Sequence, residues 1–414
     1  MVDPTLSLPH GPRRAVGRWL AFLGISAAGA LVIVSRRPDA IFNPQFWAED
    51  GTIWYAEAHA HGLRSLLSPY LGYFQTLPRV VAVAAQILPL TWAPLVFNLV
   101  AVALMLLPVW LLASQRFARL ASPRVRLGFG FLILALPNTH SMCANVTNSQ
   151  WYLALAAVLV LLAESSEAPA FDLTVLGLCA VSGPFAVFLA PVAALMWWKR
   201  KTGNATSRRR DYACMLILAA GCLLQGLAMW LTRSHRPRVA PGASPLRLAQ
   251  ILAVNVFLTP VLGGHAALPY VHPGAAIVAA TLGLGVMAYA AVRGPLELRM
   301  FFLFAGGVLA SALARPADAD WGQMAKGYGE RYFFFAMLAW VASLLWMLRG
   351  PAIARVAAGT VLCLVPLGVA REWRYPAFAD LNFPAYCRRY SALGPGQEID
   401  IPINPPGWSM RLQK

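Results

Sequence analysis

Long uncharged apolar runs alternate with short basic clusters along the whole chain. Leu20–Val34, Val80–Gln115, Leu127–Ala163 and Thr174–Trp198 contain no Asp, Glu, Lys or Arg. A membrane-spanning helix needs roughly 20 predominantly apolar residues, so the longer runs hold more than one helix or a broken one. Clusters such as "GPRRAVGR", "RFARLASPRVR" and "KRKTGNATSRRR" separate them, as in cytoplasmic loops that face anionic lipid. The pattern predicts an all-α polytopic membrane protein.

Placing Arg13–Arg18 and Lys199–Arg210 in the cytoplasm threads the rest. Helix Arg18–Val34 exits and leaves 35–77 outside as a first loop. Pro78–Pro89 is short for a span and bounded by proline, so it reads as a re-entrant or interfacial helix before Trp92–Ser114. Leu127–Leu136 exits, Pro137–Trp151 turns outside, and Tyr152–Ala163 returns to Glu164–Glu167. Asp172–Trp198 reads as a short helical hairpin turning at Ser182–Pro184, and Tyr212–Thr232 exits again. Arg233–Pro273 reads as an outer segment holding one short helix, Ile251–Leu262. Ala275–Val292, Met300–Ala314, Tyr332–Leu348 and Ala352–Ala370 complete about 11 transmembrane helices over 18–370. The N-terminus, 1–17, is then cytoplasmic and the tail, 371–414, extracytoplasmic. The alternation around "EIDIPI" predicts a short strand or extended cap over the outer face, too small to have its own core.

Composition agrees with the pattern. A chain 58% hydrophobic and 12% charged lies outside the range of soluble domains. The net charge of +17 sits in loops between apolar runs, which points to the bilayer as partner and not to nucleic acid. Six cysteines show no zinc spacing; Cys143 and Cys387 both map outside, where a disulfide is conceivable.

Against this background the stretch "FWAEDGTIWYAEAHAHG", Phe46–Gly62, stands out, because it gathers Glu49, Asp50 and Glu57 in a chain with only 17 acidic residues. On a helix Asp50, Trp54 and Glu57 share one face. Plain capping of that helix accounts for Glu49 and Asp50. A carboxylate at the membrane surface is also suited to take a proton from an acceptor hydroxyl, or to hold a divalent cation beside a second oxygen ligand. His59 and His61, at i and i+2, point apart and define no metal site. Groups at headgroup depth would meet a phosphate: the cations Arg79 in "QTLPRVV" and Lys326 and Arg331 in "KGYGERYFFF", with the Tyr332 hydroxyl beside them. Snorkelling anchors are the plain alternative for these. The turn "PNTHSMCANVTNSQWY" offers His140, Asn145 and Asn148 as polar groups for sugar hydroxyls, although turns favour Asn for backbone reasons alone.

"WAEDGTIWYAEA", followed by "PYLGYFQTLPRVVA" and by short helices before a basic loop, resembles the GT-C superfamily of integral-membrane glycosyltransferases over Arg18 to about Arg210. The aminoarabinose and protein-mannosyl transferases are similar members. The resemblance implies a polyprenyl-phosphate-linked sugar donor, a glycan, lipid or protein acceptor, and a bacterial inner-membrane location. It also implies a catalytic or acceptor-orienting role for Asp50, with Glu49 as the alternative. Relatives often carry a second acidic residue where this chain has Asn138, His140, Asn145 and Asn148, and a Lys where it has Gly183-Pro184.

Overall fold

The computed structural model describes residues 12–163, 168–200, 205–232, 240–316 and 319–414. Residues 1–11 and Glu164–Glu167, read from the sequence as cytoplasmic, lie outside these, as do 233–239 of the predicted outer segment. Helix α1 (Pro12–Arg36) leads into a loop where a π-helical turn, Asp50–Tyr55, runs on as α2 (Ala56–His61). Then follow α3 (Thr76–Ala85), α4 (Ala93–Ala113), α5 (Pro123–Ala135), α6 (Val146–Leu162), α7 (Pro169–Ala180), α8 (Ala186–Arg200) and α9 (Ala205–Leu231). The second half holds α10 (Pro245–Leu262), α11 (Pro273–Arg293), α12 (Leu296–Ala314), α13 (Phe334–Met347) and α14 (Ala352–Arg371). Helix α15 (Phe383–Ala392) and an antiparallel hairpin, β1 (Glu398–Ile403) and β2 (Trp408–Gln413), close the chain.

Seven of these helices, α1, α4, α9, α10, α11, α12 and α14, are long and apolar enough to cross a membrane. The outward surface is apolar too: Ile353 is 87% and Leu282 68% exposed. Water would not favour such a surface, whereas lipid does. Helix α6 is apolar all round and accordingly central, with only Thr147 and Gln150 of its residues not fully buried. The architecture is that of an all-α polytopic membrane protein.

The predicted hairpin forms from α7 and α8, and Gly183, at φ +97°, makes its turn. Pro78–Pro89 contributes only the ten-residue α3, whose start is tied to the hairpin tip. Thr76 N donates to Val181 O at 3.2 Å, and Leu77 N to Ser182 Oγ at 3.0 Å. At roughly 15 Å, α3 is half the length of a span. The arms of the hairpin are short as well, 12 residues in α7 and 15 in α8.

Helix α10 corrects the sequence reading. It starts at Pro245, not Ile251, and is long enough for a span. Both its ends nevertheless meet segments at one end of the bundle. Gln250 donates to Val271 O near the start, and Arg371 to Leu262 O at the finish. A Cβ on Gly368 would lie 2.6 Å from Pro260 O, so α14 and α10 touch backbone to backbone there. The conceivable Cys143–Cys387 disulfide is absent: both thiols are free and buried in different clusters of the core.

At the basic end, Arg116 grips Asp172 with two hydrogen bonds of 2.7 Å, and Arg210 adds a third at 3.0 Å. Arg210 and Arg200 also pair with Asp211, at 3.4 and 3.7 Å. These charges lock the ends of α4 and α8 to the starts of α7 and α9. At the other end the tail does more than cap. Phe383, Ile401, Ile403, Met410 and Leu412 share a core with Phe46, Trp54 and Tyr55 of the first loop.

Candidate functional site

Asp50 opens the π-helical turn and is 1% exposed. Its carboxylate accepts from Val146 N at 3.1 Å, Thr147 N at 2.8 Å and Thr147 Oγ1 at 2.7 Å. These amides begin α6, so Asp50 sits on the positive end of a central helix. It caps, but not the helix in which it lies. Burial is the largest influence on its proton and pushes the pKa from 3.8 to about 7, against the pull of the Thr147 and Val146 hydrogen bonds; Glu49 pushes the same way as burial. Glu49 itself is half-buried.

A pH dependence follows. With the folded pKa above the unfolded value, the native state keeps a proton that the unfolded chain has lost. The stability from that proton is complete below about pH 4 and disappears as pH rises to about 7. In detergent, the unfolding temperature should fall over this window, and Asp50→Asn should flatten the fall. A slope that the substitution leaves intact would sink the assignment.

The shared face of Asp50, Trp54 and Glu57 recurs in space. Trp54 Nε1 donates to the same Thr147 Oγ1 at 2.8 Å. The guanidinium of Arg79 lies 5.0 Å from the Trp54 ring and donates to Glu57 Oε2 at 2.7 Å. Arg79 is 1% and Glu57 33% exposed, so the pair joins a sealed cation to a carboxylate that water reaches. The polar chain thus runs Asp50, Thr147, Trp54, Arg79, Glu57. One turn before Arg79, Gln75 donates to Gln150 of α6. Arg79 Nε and Gln75 Oε1 at this α3–α6 seam, and Trp151 Nε1 on α6, are buried without a hydrogen-bond partner.

Arg331 and Tyr332 reach α6 through aromatic rings. Tyr332 lies 5.8 Å from Trp151, and Arg331 lies over the Tyr332 ring at 5.0 Å and donates to its hydroxyl. Glu330 accepts from Ser141 N. Lys326 is elsewhere, on a separate cavity with Arg247 and Asp320. Asn145 and Asn148 are 2% and 6% exposed, and their amides close the turn that starts α6. That backbone duty, the plain alternative, accounts for their hydrogen bonds. His140 packs against Trp47 and Tyr375. Burial, then the Arg37 and Arg36 charges, lower its pKa to about 4, so it is neutral at pH 7.

The sequence reading missed Arg36 and Arg37. Arg36 donates to the carbonyls of Leu134, Leu136, Glu372 and Trp373, tying the ends of α1, α5 and α14 together. Arg37 is 2% exposed and lies within 5.4 Å of the rings of Trp47, Tyr375 and Phe378. Its carbonyl partner is His140. Among the described residues no carboxylate pairs with either arginine. A signal existed: a basic pair at the end of a span opposite the basic clusters runs against the charge rule. Thr147, the hub of the site, had no such signal.

No protein-family model matches this sequence, and no curated protein matches it. What the fold and its polar interior define is therefore a class, a multi-pass α-helical membrane protein with a buried carboxylate in its first loop.

Proposed function

We propose that this chain is a GT-C-like inverting glycosyltransferase of the bacterial inner membrane. On this reading it has about 11 spans, with the first loop and tail outside, and moves a sugar from a polyprenyl-phosphate donor to an envelope glycan, lipid or protein. The observation that carries the reading is the polar chain from Asp50 through Thr147 and Trp54 to Arg79 and Glu57, joined by hydrogen bonds and, between Trp54 and Arg79, by a cation–π contact. A carboxyl titrating at about 7 is matched to general-base work at neutral pH. In the step, the acceptor oxygen bonds to the sugar's anomeric carbon as the bond to the phosphate oxygen breaks. The acceptor proton passes to Asp50 and polyprenyl phosphate departs. Charge builds on that phosphate, and Arg79 and Arg331 are the cations offered to it. Glu49, half-buried beside Asp50, is the alternative base.

The saturation of Asp50 by three donors favours a second reading, a non-catalytic scaffold subunit of envelope glycan assembly in which Asp50 only joins loop to helix. Asp50→Asn separates the two. Native membranes holding matched amounts of either protein are supplied with the cell's own labelled lipid-linked sugar pool. The enzyme reading expects transfer to fall on the order of 10²-fold or more with the protein retained. Unchanged transfer in both Asp50→Asn and Glu49→Gln leaves the scaffold.

A further inference from the structure

Two cavities border the N-terminal turns of α10. The first, about 390 Å³, is polar, and Arg247, Gln250, Asp320 and Lys326 line it. The second, about 510 Å³, is an apolar groove between α10, α11, α12 and α13, lined among others by Leu252, Val256, Met287, Gly306 and Leu309. Arg247 and Gln250 face the first cavity, whereas Leu248 and Leu252, on the next face of the same turns, line the second. Helices α11 and α12 are both long and apolar enough to span. The groove therefore opens where hydrocarbon is the solvent.

We infer that this pair of cavities is a binding site for an anionic phospholipid, with its phosphodiester at Arg247 and Lys326 and one acyl chain in the groove. Charge selects the headgroup. Arg247 donates to Gly242 O, and neither it nor Lys326 forms an ion pair among the described residues. Asp320 spends its carboxylate on the amide of Gln323. Two cations and one carboxylate leave a single positive charge, which one phosphodiester neutralises. An arginine fork can hold both non-bridging oxygens of the phosphodiester, and an exposed lysine adds a second cation beside them. Width selects the chain. Ala305, Gly306 and Ala310 give α12 a low surface against the groove, and nothing lies within 4 Å of where a Gly306 Cβ would stand.

The site does not depend on the role given to Asp50. Its test is native mass spectrometry of the full-length protein in detergent, titrated with phosphatidylglycerol, phosphatidylcholine or sodium phosphate. Phosphatidylglycerol should bind at one copy and survive collisional activation better than phosphatidylcholine. Arg247→Glu with Lys326→Glu should weaken it by about tenfold or more, since each cation contributes about 1 kcal/mol toward an anionic lipid. Gly306→Phe should compete with the chain and weaken both lipids. Unchanged unfolding temperatures show that the variants fold. Equal retention of the two lipids by the wild type, or retention unaffected by either variant, overturns the site. So does phosphate alone stabilising the protein as much as the lipid. A prenyl phosphodiester displacing phosphatidylglycerol at equal concentration would also overturn it, by giving the groove to the donor.

Discussion

Asp172→Asn should cost about 3–5 kcal/mol, the range for breaking a buried ion pair from one side. Asp172 is 0% exposed and is the shared anion of Arg116 and Arg210. An amide keeps the shape but leaves two guanidinium groups buried against one neutral oxygen. Arg210 retains Asp211 at 3.4 Å and Val160 O at 2.7 Å, which limits its share of the loss. The check is the amount of protein surviving detergent extraction and its unfolding temperature. Removing one of the two buried cations as well, in Asp172→Asn with Arg116→Met, should recover part of the deficit. An Asp172→Asn protein as stable as wild type would falsify the view that this cluster fastens the basic end.

Arg36→Met should cost about 3 kcal/mol, because it leaves several buried carbonyls without a donor while the methionine keeps the packing. Those carbonyls belong to segments more than 90 positions apart in the chain, namely Leu134, Leu136, Glu372 and Trp373. The loss should therefore be local as well as global. Backbone hydrogen exchange at 136–140 and 372–375 is expected to speed up, with α8 and α9 unaffected. Uniform acceleration, or none, would contradict the role of Arg36 as a fastening.

The helices were legible because a bilayer imposes one demand, an uncharged run of sufficient length, and Ala275–Val292 meets it in plain sight. The hairpin turn was equally plain, since Ser182-Gly183-Pro184 interrupts an otherwise apolar run. The start of α10 was not. Ser244 caps it by accepting from Arg247 N, but Pro245-Leu246-Arg247 looks like loop until that cap is seen. The site divides in the same way. Asp50 and Arg79 stood out as charges in apolar surroundings. Their partners did not, because Thr147 lies 97 positions from Asp50 and is an unremarked residue in a turn. Arg36 and Arg37 passed for ordinary charges at the end of a span. Only the path of the chain shows them facing inward.

The β-hairpin has a consequence for the order of assembly during synthesis. The side chains that close over Phe46, Trp54 and Tyr55 come from Ile401, Ile403, Met410 and Leu412. Ala48 N bonds to Asn404 O, and His59 to Gln413 O. A ribosome adds about 5–20 residues per second, so the first loop waits many seconds for its last partners. Until they arrive, the aromatic residues beside Asp50 stay uncovered. A loop made early is thus completed late, and its carboxylate takes its final surroundings only once the β-hairpin has been made.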